Sequence, residues 1–329
     1  MFDLTRREFI GLVGGGAVAW PLAVRAQPRG KLPHIGVLVS ASPPHPFADD
    51  FRRGLRSFGY EEGKNIIIEF RYTDTRPDRA EEFAAEFVKL GVDIIVAHFT
   101  PAVKAAMAAT RTIPIIMAPA GAPLEQGLVD SLARPSANVS GISAMDAELG
   151  GKRLQLLHDL MPNLVCVAVL AAAPALDGGF GKMLVEDMHV AAPKMGIRLV
   201  PVLANNPNEF EEAFVTMSKA GAQVVFIQGL FEPYGKTLID LATRHRMALM
   251  AGTRETTAMG GLISLSSNFS FLYERTAFYV DKILKGAKAA DLPVEQPTKF
   301  QVVLNLKTAR ALGLTVPPTV LAQVDEIIE

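Results

Sequence analysis

The chain has one cysteine, Cys166, which excludes an intramolecular disulfide. It lies in the apolar run 164–170 and reads as a small core residue. No lipobox cysteine stands at the end of the N-terminal leader, so no direct lipid anchor is expected. Charge is also scarce. Charged residues make up 20% of the 329 and the formal net charge is −1, which leaves little for long solvated arms. So neutral a chain carries no electrostatic footprint for nucleic acid and no polybasic patch for anionic lipid. The common catalytic and cofactor motifs are missing together. After the first apolar run, where a dinucleotide fold needs G-x-G-x-x-G, stands Ala41-Ser42-Pro43-Pro44-His45-Pro46. Its three prolines cannot donate N–H groups to a pyrophosphate. There is no G-x-x-x-x-G-K-[ST] and no G-x-S-x-G elbow. The six histidines are scattered, without H-E-x-x-H or an i, i+4 pair. The expectation is no cofactor, no metal, no catalytic residues and no enzymatic activity.

What is present begins at the N-terminus. Thr5-Arg6-Arg7-Glu8-Phe9-Ile10 opens a weakly apolar stretch diluted by Gly11, Gly14, Gly15 and Gly16 and broken by Pro21. That is a twin-arginine export signal, too short and soft for a stable membrane span. Val24-Arg25-Ala26 supplies modest side chains for cleavage before Gln27. The expected signal peptide is residues 1–27 and the expected location is the periplasm, reached by the twin-arginine route. The leader carries Arg6, Arg7 and Arg25 against Asp3 and Glu8, so its removal takes the net charge from −1 to −2.

Beyond the leader, apolar runs of strand length alternate with helical periods. Strands are expected at 34–40, 65–72, 93–99 and 113–118, with helices over 47–58, 78–90 and 101–110. A second set follows: strands at 165–170, 197–203, 223–228, 248–251 and 262–265, with helices over 146–160, 179–195, 207–220 and 233–246. A helix over 271–285, a strand at 298–304 and a helical tail from 307 complete the chain. Strands that are apolar throughout and alternate with helices mean parallel sheets covered on both faces. Apolar residues, 49% of the chain, suffice for two such cores. The expected architecture is two doubly wound α/β lobes joined by a hinge. Lobe 1 spans 33–142 with 268–292, and lobe 2 spans 143–267 with 293–329.

Ligands of doubly wound sheets bind beyond the carboxyl ends of the strands. The residues expected there in the first lobe are Ser40 and Ser42, then Thr100 with Pro101, then Pro119 and Ala120. Thr100 reads as an N-cap with Pro101 the first helical residue, which turns the following N–H groups toward a carboxylate; capping and ligand contact are compatible. In the second lobe Gln228 ends a strand with an amide that can donate and accept. Phe231 reads either as a stacking surface or as core. Glu255 reads either as an acceptor for an ammonium group or as a solvated acid. Asn268 sits at a polar crossing. Gly141, Ser143 and Ser267 are the expected hinge.

Several motifs together resemble one family: Gly59-Tyr60-Glu61-Glu62-Gly63-Lys64-Asn65-Ile66, Ser131-Leu132-Ala133-Arg134-Pro135, Asn138-Val139-Ser140-Gly141, Gly260-Gly261-Leu262-Ile263-Ser264 and Leu292-Pro293-Val294-Glu295-Gln296-Pro297-Thr298-Lys299-Phe300. Asn305-Leu306-Lys307-Thr308-Ala309 and Gly313-Leu314 continue the pattern. The chain is similar to substrate-binding proteins of ABC transporters of the tryptophan/tyrosine-binding type. That resemblance implies a type I periplasmic binding protein that captures a small solute, an amino acid or an aromatic or small carboxylate, and delivers it to an inner-membrane permease. It places Ser42, Thr100, Pro101, the 119–122 loop, Gln228, Phe231, Glu255 and Asn268 in the cleft. The chain departs from the family at Leu265, at Gln228-Gly229-Leu230 and near Thr253, where relatives carry an aromatic, a Pro-Asp-Pro-like turn and an aromatic. A ligand-binding partner of a membrane sensory receptor, or an exported α/β enzyme, would share the fold and compartment.

Overall fold

In the computed structural model, residues 32–74, 76–135, 137–145, 149–172 and 179–329 are described. The leader over 1–27 and residues 173–178 lie outside them.

The first sheet is five-stranded, in the order β2-β1-β3-β4-β5, and every neighbouring pair is parallel. Its strands are β1 (His34–Val39), β2 (Ile67–Tyr72), β3 (Ile94–His98), β4 (Ile115–Gly121) and β5 (Val139–Ala144). All but β2 are buried along their whole length, as apolar strands covered on both faces must be. On one face lies α1 (Pro46–Ser57), whose Phe47, Phe51 and Leu55 repeat at helical spacing and are buried. The other face carries α2 (Pro77–Leu90) and α3 (Phe99–Ala109), with Ala84, Phe87, Ala102, Val103 and Ala106 turned inward.

The second sheet is seven-stranded, in the order β12-β11-β10-β9-β8-β6-β7. Its strands are β6 (Cys166–Ala171), β7 (Arg198–Leu203), β8 (Val224–Ile227), β9 (Ala248–Ala251), β10 (Ile263–Ser267), β11 (Phe300–Asn305) and β12 (Glu326–Ile328). The helices α4 (Gly150–Leu160) and α5 (Gly179–Ala191) cover one face, and α6 (Phe210–Lys219) and α7 (Gly235–Arg244) the other. A short α8 (Arg254–Ala258) follows β9. Cys166 is buried in this core.

The next helix, α9 (Phe269–Leu284), leaves the second sheet and packs along α1 on the first. The two helices approach closely at Gly54, where a Cβ would stand 2.3 Å from the carbonyl oxygen of Glu274. The chain stays with the first lobe to Glu295, whose N–H donates to the Gly141 carbonyl (2.9 Å) and whose carbonyl accepts from Ser143 N–H (2.8 Å). It then returns to the second sheet as β11, continues through α10 (Leu306–Ala311) and α11 (Pro318–Leu321), and ends in β12.

Three expectations from the sequence are corrected. Gly141 and Ser143, expected in the hinge, lie within the edge strand β5. Gly141 has φ 127°, and a Cβ there would lie 2.5 Å from the Met117 backbone, so only glycine fits. The late strand β11 runs antiparallel to β10 rather than parallel. The reason is topological: β10 departs for the first lobe at its carboxyl end, at Ser267, and the chain comes back at that same end, where Ser267 faces Phe300. The tail is not wholly helical. It adds β12, paired in parallel to β11.

Candidate functional site

The chain crosses between the sheets after β5, after β10 and before β11. Each crossing lies at the carboxyl end of a strand or at the Phe300 end of β11 beside it. The carboxyl ends of both sheets therefore border the same seam, where doubly wound folds hold ligands.

On the first lobe this border is built of rings. His98 ends β3 and is fully buried. Phe47 stacks on it with centroids 4.9 Å apart, and His45 meets it edge-on, also at 4.9 Å. Its Nε2 lies 3.2 Å from the Tyr273 hydroxyl, while Nδ1 has no hydrogen-bond partner. His45 caps α1: its Nδ1 accepts from Phe47 N–H (3.2 Å), so in the neutral ring the proton is on Nε2. Burial lowers the pKa of both imidazoles. Asp50 partly offsets this at His45, and the neighbouring His45 adds to it at His98. Both shifts favour the neutral rings. Phe99 follows with φ 65°, a left-handed conformation uncommon for a bulky residue and of the kind that clusters at ligand sites. Its ring meets Phe269 edge-to-face at 6.1 Å, and Phe269 lies 5.8 Å from Tyr273. His45, Phe99 and Phe269 are half-buried, so part of each ring remains accessible.

The other first-lobe candidates fall around this cluster. Ser40 is half-buried just beyond β1, and its Oγ is enclosed without a hydrogen-bond partner. Ser42 is exposed. Thr100 does not cap α3, which begins one residue earlier. Its hydroxyl donates to the Gly121 carbonyl (3.3 Å) and accepts from the Gly121 N–H (3.2 Å), tying the start of α3 to the end of β4. Pro101 is exposed in the first turn. Pro119 and Ala120 belong to β4, which runs further than its apolar pattern suggests, and both are buried.

The second-lobe border is built of hydrogen bonds. Gln228 follows β8 and is only 3% exposed. Its Oε1 accepts from Ala172 N–H beyond β6 (3.4 Å), and its Nε2 has no partner among the described residues. Phe231 is 2% exposed and packs edge-to-face on Phe210 at 5.4 Å, so it is core and offers no face to a solute. Glu232, in the turn Gly229–Tyr234, braces the neighbouring loop. It accepts from Gly252 N–H (2.6 Å), from the Thr253 hydroxyl (2.8 Å) and from the Thr256 hydroxyl. Burial raises its carboxyl pKa; the three donors oppose that, while the nearby Glu255 adds to it. Glu255 itself is exposed. Asn268 caps α9, accepting from Phe271 N–H at 3.0 Å. Ser267 is the buried last residue of β10.

Sequence reasoning missed His45, His98, Phe99, Phe269, Tyr273 and Glu232. The signal for His98 and Phe99 was their place at the end of an apolar strand. Phe269 was hidden because α9 starts two residues before its periodic face.

Two α/β lobes with strand ends turned to a common seam, one faced with rings and the other with hydrogen-bonding groups, define a type I binding protein. The chain belongs to the ABC transporter substrate binding protein family, whose model matches residues 35–328. Members of this family bind solutes rather than transform them, in the periplasm or outside the cell. The chain is 27% identical over 289 residues to a tyrosine-binding protein of Clostridioides difficile, covering 86% of this chain and 82% of that one. Among solved structures it is similar to the ABC domain from Streptococcus pneumonia in complex with L-Trp. There the TM-score is 0.83 and the identity 25%, covering 91% of this chain and 100% of that one. A conserved domain protein from Vibrio cholerae superposes with TM-score 0.82 at 26% identity, covering 90% of this chain and 100% of that one.

Proposed function

We propose that this protein captures an aromatic amino acid, or a related aromatic carboxylate, between its lobes and delivers it to an ABC permease in the inner membrane. The observation that carries this reading is the half-buried ring wall of His45, Phe99 and Phe269 over the enclosed His98 and Tyr273. A flat apolar solute gains both burial and edge-to-face contact there. The tyrosine-binding relative and the L-Trp complex support the same class. The lobes close on the solute by movement at the crossings that follow β5 and β10 and precede β11, and the closed form is what the permease receives. Export by the twin-arginine leader puts this work in the periplasm.

A thermal-shift screen of the processed protein against L-tyrosine, L-tryptophan, aromatic acids and aliphatic amino acids tests the reading. A solute that binds only the native state raises the melting temperature. An aromatic member of the panel should give the largest shift; a shift confined to the aliphatic amino acids rejects the proposal. The chain's one tryptophan, Trp20, leaves with the leader, so L-tryptophan fluorescence can be followed directly.

A further inference from the structure

We propose that Gln228 reads the acid end of the solute, so that the ring lies on the first lobe and the carboxylate on the second. The proposal rests on the aromatic-solute reading above and adds to it an orientation and a specificity-determining residue.

Gln228 closes β8, and its amide bridges to the end of β6 through the bond from Ala172 N–H. Only the amide oxygen can accept that bond, so Nε2 is the free end. This NH2 group is buried and has no partner among the described residues. A buried donor with no acceptor is costly, and native interiors seldom keep one without a use. Its place, across the carboxyl ends of two adjacent central strands, is where a ligand's acceptor would meet it. The neighbouring acid does not compete for that donor, because Glu232 is taken up by Gly252, Thr253 and Thr256. A neutral amide also suits the position, since it binds a carboxylate without a buried cation that would have to be desolvated in the empty protein. On the first lobe, Ser40 Oγ just beyond β1 is an enclosed hydroxyl without a partner among the described residues, available to the polar end of the same solute.

The test is titration calorimetry of wild type, Gln228→Glu and Gln228→Leu with L-tyrosine and tyramine, and with L-tryptophan and tryptamine. Each pair differs only in the carboxylate. Gln228→Glu keeps an oxygen for Ala172 N–H and replaces the donor with an acceptor; Gln228→Leu removes the donor without adding charge. Melting temperatures of the solute-free variants show which are folded, and one folded variant suffices. Wild type should prefer the amino acid to its amine by at least tenfold. The variants should lose about 10- to 100-fold for the amino acid, the size expected for a hydrogen bond to a charged group, and little for the amine. Gln228→Glu should bring the preference toward the amine. Equal losses for acid and amine, or variants that bind the amino acid like wild type, overturn the inference and leave the aromatic reading standing. Failure of wild type to bind any aromatic amino acid overturns both.

Discussion

The two lobes share a βα design and differ at the strand ends they turn to the seam. On the first, the ends of β1 and β3 carry His45, His98 and Phe99, and Phe269 and Tyr273 of α9 complete the cluster. On the second, the ends of β6, β8 and β9 carry an amide, a braced carboxylate and two threonine hydroxyls, while the nearby Phe231 is drawn into the core. One border gains mainly from contact with an apolar surface, the other from directed hydrogen bonds. A solute with a ring at one end and a carboxylate at the other satisfies both only when it spans the seam. In the proposed function, that requirement is what would couple capture to closure.

The comparison can be broken in four ways, in falling order of effect. Gly141→Val forces a left-handed φ on a branched residue and drives its Cβ into the Met117 backbone. It should cost about 4 kcal/mol in urea unfolding and collapse the β4–β5 edge on which the first crossing rests. Glu232→Ala strips the acceptor from three donors and should cost about 2–3 kcal/mol. Hydrogen exchange should quicken at 252–256 and stay unchanged around His98. Phe269→Ala removes a half-buried ring and should weaken an aromatic solute by about tenfold, with little change in melting temperature. An aliphatic solute should be indifferent to it.

The smallest effect is on pH. In the first lobe, burial holds His45 and His98 below the ordinary histidine pKa of 6.5. Between that value and the folded one, the unfolded chain binds more protons than the native one. Their contribution to stability is complete above pH 6.5 and falls as the pH drops through the folded values. Glu232 in the second lobe works with the opposite sign. Its folded pKa is raised, so its contribution is complete below the ordinary carboxyl value and is lost as the pH rises through the folded one. Acidification from pH 7 to 5 should therefore lower hydrogen-exchange protection factors around His98 more than around Gly252. A uniform change in both lobes would contradict the assignment.

Much of the fold was legible because the buried strands are apolar throughout and α1 repeats Phe47, Phe51 and Leu55 at helical spacing. What escaped were features set by distant contacts. β5 reads as a polar crossing because Ser140 and Ser143 interrupt it, yet Ser140 donates to the Leu292 carbonyl (2.7 Å) and Ser143 N–H to Glu295. The direction of β11 depends on where the chain re-enters its sheet. At the site, Gln228 was legible as a strand-end amide. The ring wall was not, because His45, Phe99 and Phe269 are separated by tens to more than a hundred residues and meet only when α9 docks on α1. Phe231, which reads from its position as either cleft or core, is core because Phe210 faces it.

The most direct test of the shared-solute claim is titration calorimetry of the processed wild-type protein with an aromatic amino acid, L-tyrosine or L-tryptophan, against L-leucine, all of which offer the same ammonium and carboxylate. The ring wall predicts that the tighter aromatic solute binds at least tenfold more strongly than leucine. Equal affinity, or a preference for leucine, would contradict it.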